Sequence, residues 1–357
     1  MTGLSLSDLI NRQIETTGPM SVATFMGLCL THPRHGYYSA SDPLGARGDF
    51  ITAPEISQMF GELIGFFAVN VWQQLGEPRT FTLLELGPGR GTLMEDALRV
   101  AARADGFIDA MHLQLFDSNP TLRAEQEKRL GRYSPYWAEE IDALADDPVI
   151  IIANEFFDAL PIRQYVKGET GWHERQIGLI NSRRAFGLSP TPIPQSAMPP
   201  ELADATPGEV YEASLAGEDV MKRLGQRVHD QTGALLAIDY GYAETRTGET
   251  LQALSRHAFA DPLERPGEID LSAHVNFGAL GKVAVEIGLE TQPVVPQRDF
   301  LARLGIVERA TALARANPDQ LETIGAALKR LTAPEEMGTL FKVFCAHSPG
   351  LDPLGFS

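Results

Sequence analysis

Cysteine is scarce in this 357-residue chain, which has only Cys29 and Cys345 and no Cys-x-x-Cys spacing. That excludes a disulfide framework and predicts two buried thiols in a reduced compartment, cytoplasmic or matrix-like. No apolar run reaches ~18 residues, so no membrane-spanning helix is expected. The opening MTGLSLSDLINRQIETTGP lacks a charged segment followed by an apolar one and is poor in arginine. Neither a secretory signal nor a mitochondrial presequence is expected from it. Basic runs are missing as well: 30 Lys and Arg stand against 47 Asp and Glu, a formal net charge of −17. Phosphate backbones demand clustered Lys and Arg, so a nucleic-acid partner is excluded. Such acidity suits a cationic partner, or simply keeps the chain in solution. His32 and His35 have ligand-like spacing, but no third ligand cluster accompanies them and no metal site is expected. There are no internal repeats. The length allows one large domain with insertions, or two domains.

What is present is an alternation. Leu6, Leu9, Ile10 and Ile14 recur at helical spacing, and residues 21–30 and 58–75 predict two further helices. Then come four apolar stretches, each ending in polar or acidic residues: FTLLEL (81–86), MHLQLFD (111–117), VIIIAN (149–154) and GALLAIDYG (233–241). Helical patterns separate the first three. Continuously apolar strands alternating with helices predict a doubly wound, Rossmann-like parallel α/β sheet covered on both faces. The pattern breaks after residue 161. IRQYVK, GWHERQIGLI and RRAFGL read as short antiparallel strands, and SPTPIPQSAMPP, with five prolines, reads as loop. The expected organisation is a helical N-terminal region with a covering loop (1–80), a core (81–160 and 231–357) carrying a helical lid, and an inserted β-containing subdomain (161–230). GTLFKVFCAH (338–347) predicts a late strand.

The stretch LELGPGRGTL carries the first chemical signal. Gly87, Gly89 and Gly91 follow the first core strand and precede a helix. In such a sheet ligands bind beyond the carboxyl ends of the strands. Glycines let the turn form and let a ligand approach the backbone. The spacing is G-x-G-x-G with no Lys-Ser/Thr pair after it, so it is not a phosphate-binding P-loop. Glu85 just ahead of the turn repels a pyrophosphate but favours a cation. Asp117 closes the next strand, 26 residues beyond Gly91, where a carboxylate can accept from two ribose hydroxyls. A ligand with a ribose, a positive centre and no phosphate is S-adenosylmethionine. The plain alternative is a structural strand-to-helix turn. Glu85, Gly87, Gly89, Gly91, Asp117, Ser118 and Asn154 are the candidate cofactor residues.

Five stretches together resemble the MidA family, whose mitochondrial members are known as complex I assembly factor 7: HGYYSASDPLGARGDFITAPEISQMFGE, GPGRGTL, NEFFDALP, IDYGY and RPGEIDLSAHVNF. The likeness runs from about residue 5 to about residue 347. It implies a class I methyltransferase. For the mitochondrial members it implies a protein arginine methyltransferase acting on a subunit of the respiratory NADH dehydrogenase. Where many relatives are expected to carry Glu, this chain has Asp117; the carboxylate role survives the shorter side chain. The alternatives are transfer to a small molecule or another protein side chain, and a cofactor-binding assembly factor without activity. A bacterial-type cytoplasmic location is expected, with the matrix as the site of eukaryotic relatives. The oligomeric state is not legible.

Methyl transfer is an in-line displacement, so positioning dominates it. A guanidinium is protonated and a poor nucleophile; carboxylates paired with it hold its plane and draw charge from the attacking nitrogen. Glu155 and Asp158, directly after the third core strand, are the expected acceptor-binding acids, and Asp239, closing the fourth, is expected to support them. Their plain reading is helix capping or solvation. Phe156 and Phe157 suit the core better than an acceptor. Tyr240 and Tyr242 suit either. Two further segments are candidate lids or acceptor loops: TAPEIS, with Thr52 as a cap for a helix begun by Pro54 and Glu55 and holding Ser57 in its first turn, and residues 261–277, with Glu268, Asp270 and His274.

Overall fold

A computed structural model describes residues 4–40, 52–255 and 258–357. Residues 41–51 of the expected covering loop lie outside the described residues. Backbone contacts divide the chain into two compact units, one of residues 51–157, 220–243 and 280–357, the other of residues 1–50, 158–219 and 244–279.

The larger unit holds the parallel sheet. Its strands run in the spatial order Tyr136–Trp137, Met111–Phe116, Phe81–Leu86, Val149–Asn154, Gly233–Tyr242, Phe341–His347, Glu290–Thr291. The first five are mutually parallel. Phe341–His347 runs antiparallel to both of its neighbours. Phe81–Leu86 and Val149–Asn154 are buried at every position, as strands covered on both faces must be. The direction of strand succession reverses between these two strands. Register sets their ends level: Leu86 pairs with Phe116 and Ala153, and Asn154 pairs with Ile238. Glu85, Asp117, Asn154 and Asp239 therefore sit within a residue or two of one carboxyl edge, as the sequence predicts.

Two helices pack on this sheet with little space between them. Gln58–Gln74 crosses Thr92–Ala101 where Gly61 and Gly65 face it; a Cβ on Gly65 would lie 2.3 Å from the Ala97 carbonyl oxygen. Leu63, Phe67, Leu93, Leu98, Ile150 and Leu236 share one buried cluster.

The second unit has its own core. Leu6–Thr17 begins at Ser5, whose hydroxyl and backbone exchange hydrogen bonds with Asp8 in a capping box, and Val22–Thr31 begins at Ser21. Ile10, Phe25, Met26 and Leu30 from these helices pack with Ile162, Ile177 and Leu271. The predicted antiparallel strands form as Arg163–Lys167, Trp172–Ile180 and Arg183–Leu188. The proline-rich stretch is less loop-like than expected, with 3₁₀ turns at Gln195–Ala197 and Pro200–Leu202. The grouping also departs from the expected boundaries. The first two helices and residues 244–279 join the inserted strands because their apolar faces close one core, whereas Gln58–Gln74 belongs to the sheet. Both cysteines are buried free thiols, and burial pushes that of Cys29 up to about 12.

Candidate functional site

The sheet edge is built from the glycine turn outward. Gly87, Gly89 and Gly91 have φ of +60°, +55° and +80°, backbone conformations that cost a side chain dearly. The Gly87 amide donates to the Phe116 carbonyl (2.9 Å), tying the turn to the next strand. Behind it Glu85 is 2% exposed, and its Oε2 finds no hydrogen-bond partner among the described residues. Burial, with the Asp117 charge adding to it, pushes the Glu85 carboxyl up to about 8. A buried carboxylate oxygen in that condition is poised for a cation. Asn154 Oδ1, on the adjacent strand end, likewise lacks a partner among the described residues.

Asp117 is half-buried, and desolvation raises its carboxyl above the usual range against the pull of its donors. One oxygen accepts from the Asn119 amide (2.8 Å) and the other from Gln126 Nε2 (2.7 Å). Ser118 is exposed beside it. An acid for an amine, an acid for vicinal hydroxyls and a glycine turn between them together fit S-adenosylmethionine.

Glu155, the expected acceptor acid, is tied to the covering segment through one of its oxygens. It sits in the left-handed region (φ +51°), and its Oε1 accepts from the Ala53 amide (3.1 Å) and from Asn154 Nδ2 (3.2 Å). It thus caps the short helix Ala53–Ile56 from a distance in sequence of 102 residues. Thr52 stands at the cap position but makes no side-chain capping bond, Pro54 lies in the first turn, and Glu55 accepts from the Thr92 hydroxyl (2.6 Å). Ser57 is not inside that first turn; it ends the short helix and caps the long one, accepting from the Met59 amide (3.2 Å). The short helix is thereby fastened both to the end of the Val149–Asn154 strand and to the start of the helix after the glycines.

Asp239 is 1% exposed; its oxygens accept from the Phe157 amide (3.1 Å) and from its neighbour's, Tyr240 (3.0 Å), fixing the chain after Asn154. Phe157, Tyr240 and Tyr242 are buried, whereas Phe156 is only half-buried and lies beside the glycine turn, where a Cβ on Gly87 would come within 3.2 Å of its ring.

In the second unit, Asp158 and Asp270 come together around Tyr38. The Tyr38 hydroxyl donates to Asp270 (3.0 Å), and burial together with the charges of Asp270 and Asp158 drives its pKa upward. Both acids are buried. The segment expected as a lid or acceptor loop is tied into this unit's core. Asp270–Ser272 pairs with Gln252–Leu254 as a strand, since Ile269, Leu271 and Ala273 are apolar and enter the core. The His274 amide donates to the Thr250 hydroxyl (2.9 Å), and Glu268 is exposed on a turn. Sequence reasoning missed Tyr38 and Gln126; neither lies in a recognisable spacing, and only the fold brings them to their acids.

Fold and edge together define a class I S-adenosylmethionine-dependent methyltransferase. Residues 63–295 match a family described as S-adenosyl-L-methionine-dependent methyltransferases. The chain belongs to this MidA-like family. A Drosophila melanogaster relative, named protein arginine methyltransferase NDUFAF7 homolog, mitochondrial, is 34% identical over 97% of this chain and 85% of that protein. The Homo sapiens protein arginine methyltransferase NDUFAF7, mitochondrial, is 33% identical over 93% of this chain and 81% of its own. A Burkholderia thailandensis crystal structure bound to S-adenosyl-homocysteine superposes with a TM-score of 0.84 at 27% identity, covering 98% of this chain and 93% of that one. Among the described residues, no helix is long and apolar enough to cross a membrane.

Proposed function

We propose that the chain methylates arginine side chains of a protein substrate, with Glu85, Asp117 and the glycine turn holding the cofactor and Glu155, directly after the third core strand, holding the acceptor. When bound, the cofactor supplies an electrophilic methyl carbon on a sulfonium. The chain's own residues orient the partners. Glu85 takes the amino group, Asp117 the ribose hydroxyls, and the glycine backbone lies against the ligand. A guanidinium needs carboxylates that hold its plane and receive the proton its nitrogen sheds. The observation that carries this reading is the level carboxyl edge, where Glu85, Asp117 and Glu155 stand at the ends of adjacent parallel strands. Glu155 Oε1 also accepts from the Ala53 amide, so one carboxylate would serve both the cover and the acceptor. The names of the relatives support arginine as the acceptor, and the resemblance makes a subunit of a respiratory NADH dehydrogenase the first substrate to try. A matrix or cytoplasmic setting follows the host.

The test is single-turnover methylation of that substrate by Glu155→Gln, with S-adenosyl-homocysteine affinity measured alongside. Transfer should fall about a hundredfold, near 3 kcal/mol of barrier, while affinity holds. Normal transfer removes Glu155 from the acceptor site.

A further inference from the structure

Gln126 is fully buried on the helix Pro120–Leu130 and makes three contacts of equal length. Its Nε2 donates to the Gly89 carbonyl (2.7 Å) and to Asp117 Oδ2 (2.7 Å). Its Oε1 accepts from the indole Nε1 of Trp137 (2.7 Å), on the strand next to that of Asp117. An indole nitrogen only donates, so it fixes which end of the amide faces it. Both amide hydrogens must then face the other way. There they meet the middle glycine's carbonyl and the acid, two groups that accept.

We propose that Gln126, oriented by Trp137, is a positioning residue that locks the glycine turn to Asp117 and so sets the site's selectivity for a ribose with free hydroxyls. This rests on the cofactor reading of the edge. A carboxylate that is to accept from two neighbouring hydroxyls must be held at one place and angle. Gln126 and the Asn119 amide each claim one oxygen, leaving the remaining lone pairs of Asp117 aimed by the protein rather than by solvent. The same amide stops the Gly89 peptide from turning. Leu130, one turn further along the helix, lies where a Cβ on Gly91 would come within 3.2 Å, so the helix and the turn are matched in shape as well.

Calorimetric titration of the whole protein tests this with two probes, S-adenosyl-homocysteine and its 2′,3′-dideoxy analogue. The parent should prefer the hydroxylated ligand strongly. Gln126→Leu should weaken S-adenosyl-homocysteine binding by ~10- to 100-fold and the dideoxy analogue far less, so that the preference collapses. Trp137→Phe, which keeps the ring packing but removes the orienting donor, should do the same to a smaller degree and guards against a misfolded Gln126 variant. The double variant Gln126→Leu/Asp117→Ala should bind no worse than Asp117→Ala alone. Equal losses for both ligands, additive losses in the double variant, or an unchanged preference in both single variants would overturn the proposal while leaving the cofactor site standing. A parent that binds neither ligand would overturn the cofactor reading along with it.

Discussion

Glu85 keeps its proton far above the ordinary range for a carboxyl. The folded chain releases it near pH 8, the unfolded chain near the ordinary value of 4.5. Between those values the folded state binds more protons than the unfolded one. Stability without ligand therefore falls as pH rises from about 4.5 to about 8 and levels off above. Glu85→Gln removes that burden. Its melting temperature should exceed the parent's at pH 8.5, with the gap closing near pH 4.5; a gap independent of pH would mean that packing, not charge, changed. A cationic amine supplies the missing partner. Parent affinity for S-adenosylmethionine should rise between pH 6 and 8 with proton release on binding, whereas the Gln variant should lose both affinity and this pH dependence. Asp239 differs, because both oxygens already accept from amides. Asp239→Asn points an amino group at one of those N–H groups. It should cost about 1–3 kcal/mol of stability in urea unfolding, with transfer falling through a loosened loop.

At the scale of elements, the helix crossing gives the sharpest prediction. Helix propensity alone would make Gly65→Ala stabilising by ~1 kcal/mol. The added Cβ would meet the Ala97 backbone, which cannot swing away as a side chain would, at 2.3 Å from its oxygen. Overpacking of this kind costs about 1–3 kcal/mol or more, so unfolding should show a net loss. A stabilised variant would contradict the close crossing. The short helix Ala53–Ile56 depends on a cap from outside it. Glu155→Ala should speed hydrogen exchange in that helix by removing a cap of roughly 1 kcal/mol, while Glu155→Gln, which retains an acceptor oxygen, should stay near the parent. The four core strands and the glycine turn were legible because their signals are local: an apolar run, an acid, glycines. The capping role of Glu155 was not, because its partner amide lies 102 residues away. The edge position of Asp270–Ser272 was missed for the opposite reason. Polar Asp270 and His274 obscured the buried alternation of Ile269, Leu271 and Ala273.

For the molecule as a whole, the sequence shows the alternation of a doubly wound sheet but not which segments share a core. Residues 1–50, 158–219 and 244–279 make one unit from three separated stretches. Their apolar faces, Phe25 and Met26 with Ile177 and Leu271, find each other only in three dimensions. The net charge of −17 fits a cationic substrate at this scale, and the family supplies the reaction. The most direct measurement is therefore of the product. The protein is incubated with methyl-labelled S-adenosylmethionine and a lysate of its own cells, and the labelled residue is identified by mass spectrometry, with Asp117→Ala as the control. The expected result is label on arginine side chains of a protein, lost in the control. Label on a small molecule or on another kind of side chain, or the same label with Asp117→Ala, would contradict it.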